Sequence, residues 1–174
     1  MGPRKPEVEF ISLPSRDKLL DNSPKEAYGS LAQLANNALK SGPFSITFDK
    51  RPPHIACTGD VRDFLSYAPF WWPEDPSNED SKYIRKDGER NPDIGTVKDQ
   101  QQLESFVESI MYLCLGYYFF KEDKYAKHAI SLLEIFFINE KTRMNPNLTY
   151  AQFIRGPQNT TKTGRGEGIV SARV

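Results

Sequence analysis

The stretch IMYLCLGYYFF, residues 110–120, is apolar on nearly every side of the helix that its composition predicts. Upstream of it, Leu103, Phe106 and Val107 recur at helical spacing, so the predicted helix runs from about residue 97 to residue 120. A helix without a polar face has to be covered on more than one side. The sequence therefore predicts further helices packed around this one.

Two other segments have a helical pattern. Residues 24–40 form one amphipathic helix, and residues 123–138 follow the 110–120 stretch after a short turn, which predicts an antiparallel helical hairpin. One hairpin and one preceding helix can hide one face of the apolar helix but hardly both. We therefore expect an all-α chain that is the N-terminal, truncated portion of a larger helical assembly. Self-association through the uncovered apolar faces is a further expectation.

The remaining chain divides into a tail and long loops. Residues 1–22 read as an N-terminal tail or linker, and residues 23–174 as the domain. Between residues 41 and 96 the helical period vanishes while prolines and glycines recur, which is typical of a lid or binding loop when the domain is compact. Within it, Asp87-Gly88 predicts a short hairpin over residues 82–90.

Composition excludes several classes of partner. The chain has 23 basic residues (Lys and Arg) and 23 acidic residues (Asp and Glu), so its formal net charge is zero. Its overall charge therefore does not favour binding to nucleic acid or to a membrane surface. No apolar run approaches the roughly 18 residues of a membrane span, and no signal peptide is visible. His54 and His128 have no second ligand at metal-binding spacing, so no metal or cofactor is expected. Of the two cysteines, Cys57 and Cys114, the second lies in the apolar helix and is expected to be a buried thiol.

Both tryptophans, Trp71 and Trp72, lie side by side in the proline-rich stretch YAPFWWPEDP, residues 67–76. Large aromatic side chains in such a loop either pin it to the helical body or present a flat apolar wall to a sugar ring. The residues alone leave both interpretations open, and one tryptophan could hold the loop while the other contacts a sugar.

Two polar segments have the same ambiguity. Residues 82–90 present Tyr83, Arg85 and Lys86 on an exposed ribbon. One interpretation is that an Arg side chain, whose shape suits a carboxylate, binds the substrate there. The other is that these charges only keep a loop tip solvated. Residues 143–152 offer amide and phenol groups that can bind hydroxyls, or they form an ordinary surface loop.

Four blocks in order resemble the N-terminal half of the alginate lyase domain family. They are DFLSYAPFWWP (63–73), KYIRKDGERNP (82–92), TRMNPNLTYAQ (142–152) and GRG (164–166). The resemblance implies an incomplete (α/α) toroid of helical hairpins that cleaves uronate polysaccharides by β-elimination. It also implies an acidic polysaccharide as partner and an extracellular or periplasmic location.

The resemblance also assigns residues. In the family, an Asn beside a His, a Tyr and an Arg lie downstream of the GRG block, and this sequence contains no Asn-His pair. We therefore expect no catalytic residue here and a chain that is inactive alone. The alternative is a non-catalytic module that binds acidic carbohydrate, or a helical interaction module. The residues expected to contact substrate are Trp71, Trp72, Tyr83, Arg85, Lys86, Asn147, Tyr150, Gln152 and Arg165.

Overall fold

The computed structural model describes residues 19 and 25–165 of the chain. Most of the predicted tail, residues 1–22, and the end of the chain after Arg165 lie outside the described residues. Within them the α-helices are α1 (Lys25–Ala38), α2 (Asp99–Phe120) and α3 (Asp123–Leu133). A 3₁₀-helix covers Pro92–Thr96, and α3 continues as a π-helix over Glu134–Ile138.

The three predicted helices are confirmed, and their contacts show how the apolar stretch is covered. Helix α2 packs against both α1 and α3. At Gly116 a Cβ would lie 2.8 Å from the Cβ of Ala35 on α1 and 3.2 Å from the ring of Tyr125 on α3. Glycine here therefore permits close approach of both neighbours. The Tyr125 hydroxyl donates to Asn36 Oδ1 at 3.1 Å and ties α3 to α1.

The all-α prediction is wrong. The described residues also contain two small sheets, built from β1 (Leu65–Tyr67), β2 (Trp71–Pro73), β3 (Tyr83–Arg85) and β4 (Tyr150–Phe153). A toroid made of helical hairpins alone therefore does not describe this chain. The strands escaped detection because they are three or four residues long and β1 is buried at all three positions, which removes the alternating pattern.

The predicted hairpin over residues 82–90 is also wrong. Strand β3 pairs antiparallel with β2, so that Trp71 faces Arg85 and Pro73 faces Tyr83 across the ladder. Asp87-Gly88 forms a turn, with Gly88 at φ 83°, but the residues directly after it lead into the 3₁₀-helix at Pro92 and not into a strand that pairs with β3. The partner strand lies upstream, beyond the polar loop that separates the two.

Strands β1 and β4 form a parallel pair that joins the proline-rich loop to the segment after α3. Leu65 pairs with Tyr150 and Tyr67 with Phe153, so β4 carries one extra residue. Gln152 lies in this bulge with φ 53°, and its N–H donates to Ser66 Oγ at 2.9 Å. Bulges of this kind redirect a side chain locally.

The helical body leaves apolar surface exposed, as predicted. The large hydrophobic side chains with substantial exposure are Leu34, Met111, Leu115, Tyr117, Ile130, Leu133, Phe137 and Ile138. Self-association through them stays a prediction. The expectation of a buried Cys114 is wrong, because this thiol and that of Cys57 are both exposed and free.

A buried ion pair connects the irregular loop to the start of α2. Lys50 Nζ lies 2.5 Å from Asp99 Oδ2, with side chains only 2% and 3% exposed. Lys50 also donates to the Asp63 carbonyl at 2.6 Å, and Asp99 accepts the Leu65 N–H at 2.8 Å. Burial raises the pKa of Asp99, and the Lys50 ammonium opposes that rise. Both charges are thus paired, and the pair fixes where β1 begins.

A second polar cluster, the Asp60–Asp63 cluster, anchors the loop after the π-helix. Asn145 Nδ2 donates to Asp63 Oδ1 at 2.9 Å and to Asp60 Oδ2 at 3.2 Å, while Asp60 also pairs with Arg62 at 2.8 Å. The Arg62 hydrogen bonds hold the pKa of Asp60 far below its usual range. Burial raises the pKa of Asp63, but hydrogen bonds from Thr58, Asn145 and Asn147 outweigh it and lower the pKa overall.

Replacing Lys50 should be costly because it leaves Asp99 charged and buried. We expect Lys50→Met to lower the free energy of unfolding by about 3–5 kcal/mol in urea titrations. Lys40→Met, which removes an exposed lysine, is the matched control and should change it by less than about 0.5 kcal/mol. The double variant Lys50→Met/Asp99→Leu should recover part of the loss, and equal losses in the Lys50 and Lys40 variants would contradict this role.

The Asp60–Asp63 cluster predicts a pH dependence. A carboxyl whose folded pKa is lowered contributes stability above its unfolded pKa of about 3.9, and that stability is lost as the pH falls toward the folded pKa. We expect Asp63→Asn to be less stable than wild type at pH 7 and to lose less stability between about pH 5 and pH 2. Melting temperatures across this range test it, with the exposed Asp80→Asn as control. If the melting temperature of Asp63→Asn fell with pH as steeply as that of the wild type, the cluster would not be the source of this pH dependence.

Candidate functional site

One segment of the chain, residues 152–165, borders three concave regions of the surface. It begins at the bulge in β4 and ends at the GRG block. Gly164 donates its N–H to the Thr149 carbonyl at 2.7 Å and bridges to Phe153. A Cβ at Gly164 would collide with the Ala151 carbonyl oxygen, so only glycine lets the segment fold back here. We call it the 152–165 segment.

The first concave region, the Trp71 cavity, has a volume of about 220 Å³. The Trp71 indole forms one wall, and the other lining side chains are mostly amides and hydroxyls. Trp71 Nε1 is buried, and no hydrogen-bond partner for it occurs among the described residues. The lining residues are Trp71, Ile154, Gln158, Asn159, Thr161, Thr163, Gly164 and Arg165. A lining that combines an aromatic residue, amide and hydroxyl side chains and a cation can accept an acidic sugar.

Trp72 has the structural role that the sequence left open, which is to hold the proline-rich loop in place. Its Nε1 donates to the Glu89 carbonyl at 2.9 Å, and Lys86 Nζ lies 5.5 Å from the ring centroid. Asn91 stabilises the same ribbon, because its side chain donates to the Trp71 carbonyl at 2.8 Å and its N–H to the Pro69 carbonyl at 2.7 Å. Trp72 thus pins the loop, while Trp71 lines a cavity.

The second concave region, the Gln152 cavity, has a volume of about 360 Å³. Gln152 reaches it from the bulge in β4. A left-handed backbone is uncommon for a residue other than glycine and is found where a structure imposes a particular side-chain direction. The charged residues of the lining are Arg90, Lys98 and Glu104.

The third concave region, the Arg155 cavity, has a volume of about 290 Å³ and was not predicted. Arg155 Cζ lies 4.4 Å from the Tyr67 ring centroid and 4.9 Å from that of Tyr83, so the guanidinium lies against two aromatic rings. Arg155 Nη2 also pairs with Asp93 Oδ2 at 2.9 Å. Burial raises the pKa of Tyr67, and the positive charge of Arg155 opposes that rise. Tyr67 therefore remains neutral at physiological pH.

The predicted ribbon residues lie close together but not in these cavities. Arg85 Nε pairs with Asp87 Oδ1 at 2.6 Å on the exposed surface. Lys86 lies over Trp72, and Tyr83 packs against Arg155. These contacts show what holds each side chain in the described chain, and contact of any of them with substrate stays a prediction.

Two predicted loop residues have internal partners. Asn147 donates to Asp63 Oδ1 at 3.3 Å and accepts the Thr149 N–H at 2.9 Å. Tyr150 pairs with Leu65 and packs against the small apolar cluster of Leu65, Tyr67 and Val97. Of the nine predicted substrate residues, the structure brings Trp71, Gln152 and Arg165 to cavities bordered by the 152–165 segment.

The sequence contained one weak signal for the residues that were missed. Arg155 belongs to the excess of cations after residue 141, but its ring partners come from positions 67 and 83. Asn159, Thr161 and Thr163 follow as small polar residues in a glycine-bearing stretch, a composition equally typical of an ordinary turn.

Metal and membrane features are lacking in the part of the chain that the structure describes. There, no three His, Cys, Asp or Glu side chains cluster in a way that could hold a metal ion. None of the described helices is both long and apolar enough to cross a bilayer.

Comparisons with known proteins support the resemblance of the four sequence blocks. No curated protein matches the chain. A crystal structure of an alginate lyase from Bacteroides ovatus superimposes with a TM-score of 0.76 at 38% sequence identity. The match covers 90% of this chain and 40% of that chain, so this chain spans less than half the length of the solved relative.

The sequence model of the Alginate lyase family matches residues 47–174. This range contains all four blocks, the two sheets and the 152–165 segment. The chain therefore belongs to the alginate lyase family.

Proposed function

We propose that this chain forms part of the polymer-binding surface of a polysaccharide lyase that acts on a uronate-containing polysaccharide of the alginate type. The observation that carries the proposal is the Trp71 cavity, whose lining combines Trp71, amide and hydroxyl side chains, and Arg165. Family membership and the alginate lyase named for the solved relative support the class of substrate. An extracellular or periplasmic location, where such polymers occur, belongs to the same proposal.

The chemical roles follow from the residue types. The C–H face of a pyranose ring packs on the Trp71 indole, while the hydroxyls of Thr161 and Thr163 exchange hydrogen bonds with those of the sugar. Asn159 holds the loop in place, because its Nδ2 donates to the Ile154 and Thr163 carbonyls at 2.9 Å. The Arg165 guanidinium pairs with the uronate carboxylate. Gln152, held by the bulge in β4, adds an amide in the neighbouring cavity.

The reaction of the whole enzyme is β-elimination. It removes the proton from the carbon next to the uronate carboxylate, so it needs a group that stabilises the carboxylate, a base, and an acid for the leaving oxygen. In the family these roles fall to an Asn-His pair with a Tyr and an Arg, and this sequence contains no such pair. We propose that these residues bind and orient the polymer, and that this polypeptide alone does not cleave it.

Fluorescence of the two tryptophans offers a test of binding. We expect short oligouronates to change the emission of the wild-type chain and neutral oligosaccharides of equal length to have little effect. Trp71→Phe should weaken binding by roughly two- to tenfold, because a smaller ring stacks less well. Trp72→Phe is the matched control, which should bind normally and melt earlier because it loses the hydrogen bond to Glu89. Absent oligouronate binding, or equal losses in both variants, would overturn the proposal.

Incubation with alginate tests the catalytic half of the proposal. We expect the purified 174-residue chain to produce no ultraviolet-absorbing unsaturated sugar, because its sequence contains no Asn-His pair. Denatured chain supplies the background, and a family lyase that contains the Asn-His pair supplies the positive control. Product formed in proportion to the concentration of the wild-type chain would show that it is catalytic by itself.

A further inference from the structure

The Arg155 guanidinium is unusually fixed for a partly exposed arginine. It lies over the rings of both Tyr67 and Tyr83, which belong to different sheets, and its side chain is 26% exposed. Gly156, the next residue, is also close to Tyr83, since a Cβ there would lie 3.0 Å from the ring. An arginine held in this way loses little side-chain entropy when it binds a ligand.

Most of the hydrogen-bonding capacity of Arg155 is unused within the described residues. A guanidinium has five N–H donors, and here one nitrogen, Nη2, bonds to Asp93 Oδ2. The contacts with the Tyr67 and Tyr83 rings are not hydrogen bonds to the guanidinium N–H groups, so they use none of its donors. The planar edge of the guanidinium therefore keeps donors in the pattern that matches a carboxylate.

The Arg155 cavity has the composition of an anion site. Its two charged lining residues, Arg155 and Lys162, are both cationic, and its other lining residues are apolar or neutral. They are Pro53, Ile55, Ala56, Cys57, Leu65, Tyr67, Phe153 and Gly156. A volume of about 290 Å³ lies just below the roughly 300–1,000 Å³ of sites for drug-sized ligands, which suits a ligand of one sugar ring.

We propose that Arg155, assisted by Lys162, binds the carboxylate of a second uronate residue in this cavity. The inference rests on the proposed function, and it adds to the Trp71 cavity a second position for acidic sugar that is bordered by the same 152–165 segment. Tyr67 forms a wall shared with the Gln152 cavity, so the same ring that immobilises Arg155 also separates two positions along the surface. Asp93 competes with the ligand carboxylate for the guanidinium and limits the affinity.

Calorimetric titration with a uronate trimer tests this site. We expect Arg155→Gln to weaken binding by roughly tenfold to a hundredfold, because a charge-assisted hydrogen-bonded pair is lost. Arg155→Lys keeps the positive charge but lacks the planar guanidinium edge, so its affinity for the trimer should lie between those of the wild type and Arg155→Gln. Arg143→Gln is the matched control, since Arg143 is exposed and lines none of the three cavities, and it should bind like wild type.

Asp93→Asn separates ligand binding from a merely structural role of Arg155. If Arg155 binds the ligand, removing its competitor should tighten uronate binding by roughly two- to tenfold. If Arg155 only ties the loop to Asp93, the same variant should weaken binding, and this outcome would overturn the inference even where Arg155→Gln fails to fold. Inorganic sulfate at the same concentration checks the ligand class, and displacement of the trimer by sulfate at equal affinity would also overturn it.

The outcomes also distinguish this inference from the proposed function. Trimer binding that is lost in Trp71→Phe and unchanged in Arg155→Gln would leave the proposed function standing and remove the second position. Absence of trimer binding to the wild-type chain would remove both.

Discussion

The buried pair of Lys50 and Asp99 is the constraint on which the arrangement of the loops depends. Its two charges are satisfied by each other and by backbone groups on either side of Phe64, namely the Asp63 carbonyl and the Leu65 N–H. Because Asp99 opens α2, the pair sets the start of β1 against the first turn of the long helix. Burial of two charges seldom adds much net stability compared with apolar side chains of similar size. Its effect here is to specify one position for a loop that has little regular structure.

The position of β1 determines the surface around it. Strand β4 has to align with β1 in parallel across more than eighty residues of intervening chain, and the mismatch of one residue is absorbed at Gln152. After the bulge the 152–165 segment turns back along β4, where Gly164 bridges to Phe153 and closes against Ala151. The three cavities are therefore consequences of one strand pairing. The Gln152 and Arg155 cavities share Tyr67 in their linings, so these two are neighbours.

The sequence predicted the helices well and the sheets not at all, for a physical reason. Helix α2 is set by contacts three and four residues apart, which a local pattern reveals. The β1–β4 pairing depends on residues such as Leu65 and Tyr150, which are remote in sequence, and on strands too short to show alternation. The same limit applied to the site. Trp71 and Gln152 were predicted from the residues around them, whereas the environment of Arg155 is assembled from Tyr67, Tyr83 and Asp93 and has no local signature.

The difference between Arg85 and Arg155 shows why exposure alone is a poor guide to a carboxylate-binding residue. Arg85 is about half exposed and pairs with a neighbour two positions away, so solvent screens its charge and its side chain loses much freedom on binding. Arg155 is already held by two rings beside a cavity without a carboxylate in its lining. Solvent therefore screens its charge less than that of Arg85, and its side chain loses less conformational entropy when a ligand binds. A polymer that carries one carboxylate on every sugar is bound best by cations spaced along a rigid wall. The 152–165 segment provides two of them, Arg155 and Arg165, each in the lining of a different cavity.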